Sequence, residues 1–382
     1  MQSTQRQRII ILFAGTHLAY SPTITQLYDA LSETTDVTIL AETFPGFIDE
    51  KLEGRQVDYF ENNGKSKISL SEKLIYFYLR RFNAHAIKLE AAGFKLKMEW
   101  AHFMLVKNTL QKGHYDRVIA VDLHNLFYCS LLGRHADFIS LELGIGENLL
   151  PIIKKELIDA VIIQTEPRYE YLFKDAQLRK FIIPNSPVFE EREIKKNKKG
   201  LVYGGTAWDP FGFYHCLEYL KKYPDTPMTV RGAVPAAERT RIHEEYPELL
   251  AQKLLIIDET YLENDKVVDY FSQFEIGICF YNFDVEWIRH FNYRSAPSGK
   301  LFKYLAAGVP VLAIDIIGFK FIDEMQCGVL IPDLRPESIR AGIEQLRSRY
   351  AFYESNTMAA AKHFRFDKAL QPYLNYVNNY EL

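Results

Sequence analysis

SAPSGKLFKYLAAGVPVLA, residues 295–313, runs from a turn into a helix and then into a strand. Pro297, Ser298 and Gly299 form the turn, the helical pattern extends from Ser298 to Ala307, and Gly308 and Pro310 end it before an apolar β-branched run. A helix start leaves backbone N–H groups without intrahelical partners and carries the positive end of the helix dipole. Lys300 in the first turn opposes that dipole unless an anion compensates both. The stretch therefore predicts an anion site at a strand–loop–helix junction.

The segments around it share the same rhythm. Before residue 186, short apolar runs at 8–15, 36–41, 116–122, 136–143, 160–165 and 180–185 alternate with helical patterns such as SPTITQLYDALSET (21–34). After residue 200 the alternation restarts with runs at 201–207, 228–233, 253–258, 275–281, 309–314 and 328–332. Near-continuous apolar strands separated by helices predict parallel sheets covered on both faces. The fold class expected is α/β, with two doubly wound Rossmann-like domains facing a central cleft. The boundaries expected are a first domain over 1–185, a charged linker over 186–200, a second domain over 201–360, and a helical tail over 361–382 that packs back on the first domain. With 382 residues and 48% hydrophobic content the chain can fill two such cores.

A net charge of −3 gives no overall case for nucleic acid. Cys129, Cys216, Cys279 and Cys327 are far apart and lie mostly in apolar runs, which predicts reduced core thiols and no zinc site. The N-terminal apolar run is too short to span a bilayer and reads as a first strand. A cytoplasmic protein is expected. The helical segment 68–112 carries eight Lys or Arg against three Glu, interleaved with aromatic residues. Two readings stay open for it: peripheral contact with an anionic membrane face, or a helical pair with one face in the core.

Two further features point to the anion site. Gly204 and Gly205, after the first strand of the second half, permit close backbone approach to a ligand. Arg231 ends the next strand, where a guanidinium can clamp a diphosphate.

PSGKLFKYLAAGVPVLA resembles the helix-and-strand signature of GT-B glycosyltransferases of the family-4-like group. FIIPNSP resembles the segment closing their first domain, and LVYGGTA the strand and glycine loop opening the second. The resemblance covers nearly the whole chain. It implies a nucleotide sugar, such as a UDP-linked one, bound mainly by the second domain and an acceptor bound by the first. By position Ser298, Gly299 and Lys300 would meet the diphosphate, with Gly205 and Thr206 nearby. Lys303 stands where the family often has a glutamate that holds the ribose. Lysine accepts no hydrogen bond, so Asp284 and Glu286 become the candidates for that role.

Transfer requires stabilisation of a departing diphosphate, which fixed cations and a helix N-terminus can supply. No metal and no cofactor are expected beyond the donor substrate. An acceptor-side base is sought at strand ends of the first domain: Asp122 first, then Glu142, then His17. The leading expectation is a glycosyltransferase acting on a glycan or lipid-linked acceptor in surface polysaccharide synthesis. A nucleotide-sugar epimerase of the same fold and a non-catalytic cytosolic regulator are the alternatives.

Overall fold

The computed structural model describes residues 6–13, 18, 21–43, 52, 54–61, 93–143, 146–174, 176–189, 198–260 and 266–379. The chain divides into two compact units, residues 1–183 with 370–382, and residues 184–369.

The first unit holds a parallel sheet of strands β1 (Arg8–Leu12), β2 (Asp36–Thr43), β3 (Val57–Glu61), β4 (Arg117–Val121), β5 (Ala136–Ile139), β6 (Ile158–Ile163) and β7 (Lys180–Ile182). Their order is β3-β2-β1-β4-β5-β6-β7. Ile9, Ile10, Ile11 and Leu12 are fully buried, as a central parallel strand covered on both faces requires. β3 is not among the strands predicted from apolar runs. VDYFE breaks its apolar residues with Asp58 and Glu61 and pairs only with β2 at the sheet edge, so no continuous apolar run marks it. The helices described are α1 (Pro22–Ser32), α2 (Gly93–Gly113), α3 (Asp122–Leu131) and α4 (Glu166–Phe173). The part of the basic segment from 68 to 92 lies outside the described residues, as does His17.

The second unit repeats the plan. Strands β8 (Leu201–Gly204), β9 (Met228–Arg231), β10 (Leu255–Asp258), β11 (Ile276–Cys279), β12 (Val311–Ile314) and β13 (Gly328–Ile331) are parallel in the order β10-β9-β8-β11-β12-β13. Every one falls within an apolar run identified from sequence. The helices are α5 (Phe213–Lys222), α6 (Ala236–Glu245), α7 (Pro247–Ala251), α8 (Val267–Phe271), α9 (Phe291–Ser295), α10 (Gly299–Ala306), α11 (Phe321–Glu324), α12 (Pro336–Ser348) and α13 (Tyr350–Phe364). α5 packs on α12, and α10 packs on α8 and α13. Right-handed crossovers place these two groups in opposite layers over the sheet.

A last helix, α14 (Phe366–Asn378), begins in the second unit and ends in the first. Leu370, Tyr373 and Val377, at helical spacing, are buried there. The Tyr373 hydroxyl donates to Asp137 Oδ2 at 2.6 Å, beside the buried Arg117–Asp137 ion pair at 2.7 Å. Burial raises the Asp137 pKa and the Arg117 charge opposes the rise. All four cysteines are buried free thiols. Among the described residues no helix is long and apolar enough to cross a membrane.

Candidate functional site

Both sheets reverse their winding beside their first strand, between β1 and β4 and between β8 and β11. In open α/β sheets ligands bind outside the carboxyl ends of the strands at such a switch point. The sequence candidates sort onto these two edges.

At the edge of the second sheet, α10 starts at Gly299 with Ser298 as N-cap. The Ser298 side chain makes no capping bond to the helix and instead hydrogen-bonds the Cys279 thiol at the end of β11. No acidic residue occupies the first turn. Lys300 is half-buried, its ammonium 4.6 Å from the centre of the Tyr203 ring and close to the thiols of Cys216 and Cys279. Burial lowers its pKa, and the two thiols only partly oppose this. Among the described residues no carboxylate pairs with it. A desolvated cation beside unpaired helix N–H groups is a receptor for an anion.

The two glycines of this edge differ in purpose. A Cβ at Gly204 would come within 2.8 Å of the Tyr304 hydroxyl, whereas at Gly205 (φ 102°) it would meet nothing within 4 Å. Gly204 thus makes room for packing, and Gly205 presents bare backbone to open space. Its N–H donates to the Arg231 carbonyl at 2.9 Å, and Thr206 follows it. Tyr304 was not among the sequence candidates. Its hydroxyl accepts the Gly204 N–H at 2.6 Å, and its ring fills the space left by Gly277, so α10 is keyed to both strands flanking the switch point. At the other end of α10, the buried Lys198 ammonium donates to the Gly308 carbonyl at 2.6 Å and pairs with Glu354 at 2.8 Å. A charged segment read as linker conceals that role, since only tertiary contacts distinguish it.

Arg231 stands at the end of β9 as expected, but its guanidinium is engaged locally. Nη1 donates to the Asp258 carbonyl at 3.0 Å, Nη2 to the Thr260 carbonyl, and the group lies over the Tyr270 ring. Asp284 and Glu286 are exposed in the loop after β11, and Lys303 is half-buried on α10.

At the edge of the first sheet, Asp122 opens α3 directly after β4 with φ 60°, in the left-handed region that aspartate tolerates better than most residues. Its Oδ1 accepts the N–H groups of Leu141 at 2.8 Å and Glu142 at 3.0 Å. Burial raises its pKa to about 7, against these two hydrogen bonds. Arg168, buried completely, donates to the Leu141 carbonyl at 2.8 Å, and Gln164 reaches the same carbonyl at 3.3 Å. Asp122 and Glu142 are therefore brought together, with Arg168 close by. Arg168 was overlooked because an arginine in a helical pattern ordinarily reads as surface. Among the described residues no group of three His, Cys, Asp or Glu side chains could hold a metal ion.

Solved structures share this architecture. Sucrose-phosphate synthase from Thermosynechococcus elongatus superposes with a TM-score of 0.66 at 16% identity, covering 98% of this chain and 99% of its own. The pneumococcal O-GlcNAc transferase GtfA, solved with UDP and GlcNAc, gives 0.64 at 13% identity, covering 98% and 99%. A structure assigned as a UDP-N-acetylglucosamine 2-epimerase from Listeria monocytogenes gives 0.60 at 12% identity, covering 95% and 94%. At such identities the likeness shows the fold, which is GT-B, the fold of nucleotide-sugar glycosyltransferases. No family model matches the chain. No curated protein matches it by sequence.

Proposed function

We propose that this protein is a glycosyltransferase that takes its sugar from a nucleotide-diphosphate donor, with UDP the nucleotide that the solved neighbours favour. The observation that carries this reading is the start of α10, where Lys300 is half-buried without a carboxylate partner among the described residues. A diphosphate there meets the ammonium and the N–H groups of Gly299 and Lys300, in the open space that the bare Gly205 leaves beside Thr206. Negative charge that develops on the departing diphosphate is stabilised by donors already in place. No metal is required by this arrangement, and activity undiminished in excess chelator tests that point.

Asp122 is the proposed base. Its carboxyl ionises near neutrality, where a group that deprotonates an acceptor hydroxyl is most effective. The two N–H donors hold Oδ1 and fix the carboxyl orientation. The acceptor is proposed to be a glycan or lipid-linked glycan of surface polysaccharide synthesis, and the signature from Pro297 to Val311 supports the family-4-like group.

Calorimetry with UDP tests the reading: the wild-type chain binds, and Lys300→Ala weakens binding. Affinity unchanged in that variant removes Lys300 from the site. The epimerase neighbour supports a second reading, and the product separates the two. An isomerised donor marks an epimerase; donor sugar transferred or slowly hydrolysed marks a transferase.

A further inference from the structure

The carboxyl edge of the second sheet carries another feature, in the layer of α5 and α12 and not in that of α10. A cleft of about 250 Å3 opens there beyond the ends of β11, β12 and β13. His215 of α5, Tyr281, Asn282, Asp284, Asp333 and Arg335 contribute to its walls. It is smaller than the ~300–1,000 Å3 of drug-sized sites, and nearer to the size of one sugar ring.

Its chemistry excludes one ligand class and fits another. Arg335 is bound to Asp333, with Nη2 at 2.7 Å and Nε at 3.0 Å from Oδ2. Asp284 is exposed, and Asp209 approaches Asn282 Nδ2 at 3.3 Å. The cations of the rim are thereby matched or outnumbered by carboxylates, which disfavours phosphate. Asp333 is further held by the Ser338 hydroxyl, and the Asn282 amide oxygen accepts the Asp284 N–H, so the exposed Asp284 carboxylate is left to accept from neutral hydroxyl groups.

The apolar complement is also present. Tyr281 lies almost buried in the wall, stacked on Phe319 at 5.8 Å. Through Phe211 and Tyr293 it connects to Trp208 and Trp287. These two tryptophans, with ring centres 5.6 Å apart, are 40% and 41% exposed. A pair of large aromatic rings left open to solvent is unusual unless something covers it. A pyranose ring has an apolar C–H face for such a surface and a hydroxyl rim for the Asp284 carboxylate.

We propose that this cleft is a binding site for neutral glycans, with the exposed Asp284 carboxylate receiving hydroxyl groups of one residue and Trp208 and Trp287 carrying the next. Its role as the seat of a glycan acceptor or product rests on the transferase reading; its binding does not. The loop from Tyr281 to Trp287 then serves glycan recognition, and Asp284 belongs there and not to the ribose of the donor.

Saturation-transfer NMR on the whole chain tests this. The probes are methyl α-D-glucopyranoside, methyl β-D-galactopyranoside and methyl 2-acetamido-2-deoxy-β-D-glucopyranoside. The expected result is transfer to at least one of them. It falls about five-fold in Asp284→Asn and in Trp287→Ala, as the loss of one contact implies. Saturating UDP and Lys300→Ala leave it unchanged. Asp284 is exposed and Trp287 is 41% exposed, and an unchanged melting temperature of each variant establishes that it folds. Absence of transfer to all three probes overturns the proposal, as does transfer that both cleft variants retain or that UDP abolishes. If the wild-type chain transfers to a glycoside yet does not bind UDP, the donor reading fails and the glycan site stands.

Discussion

The two sheet edges share a strand order and differ in sign. Beyond β8 and β11 the chain sets a half-buried lysine, helix N–H groups and an open glycine backbone. Beyond β4 and β5 it sets a carboxyl whose pKa is raised to about 7, held by two backbone N–H groups beside a buried arginine carbonyl contact. One edge is arranged to receive negative charge and the other to take up a proton. The same strand order accommodates both because the residues after the strands at each switch point differ. The division of labour between donor and acceptor proposed above follows from those few side chains.

The comparison breaks most readily at Asp122. Asp122→Asn keeps an acceptor for the two N–H groups but removes the proposed base, so turnover should fall by about 10²–10⁴ while UDP affinity is retained. The wild-type rate should rise with pH through about 7 and then level, since the carboxylate is the active form. A normal rate in the variant would sink the assignment. Next in size, Lys300→Ala should weaken UDP binding by roughly 1.5–3 kcal/mol, read by calorimetry, and leave the pH limb of Asp122 in place.

The third effect sharpens the contrast through stability. Asp122 binds its proton more tightly folded than unfolded, so its favourable contribution is complete below about pH 4 and lost as pH rises through about 7. Asp122→Asn mimics the neutral form and escapes that loss. Its unfolding free energy, read by chemical denaturation, should match the wild type near pH 4 and exceed it at pH 8 by about 1–3 kcal/mol. Equal pH dependence in both proteins would remove the raised pKa. Smallest is Gly205→Ala, which meets no neighbour and should cost only the ~1–2 kcal/mol of a left-handed backbone. Gly232→Ala should cost more by thermal denaturation, because its Cβ would lie 2.3 Å from the Gly205 carbonyl.

Much of this was legible in the sequence. The strands of the second sheet and the start of α10 follow from apolar runs and Pro-Ser-Gly punctuation, which act locally. Asp122 was recognisable as a strand-end acid. What escaped depends on partners distant in sequence. β3 is an edge strand whose apolar residues are interrupted by acids; Arg168 and Lys198 are buried cations that resemble surface ones; Gly204 serves a tyrosine a hundred positions later. Arg231 illustrates the converse. A cation at the right strand end is held by carbonyls at the end of β10 and in the loop after it, and periodicity carries no information about that.

α14 has a practical consequence for dissecting the molecule. Leu370, Tyr373 and Val377 belong to the core of the first unit, although they are encoded after the whole of the second. A gene fragment ending at residue 183 would yield a sheet lacking one wall, with the Asp137 carboxylate deprived of its tyrosine. Exchange of second units between proteins of this fold therefore needs two junctions, near residues 183 and 370, so that the helix closing the first unit stays with its own sheet.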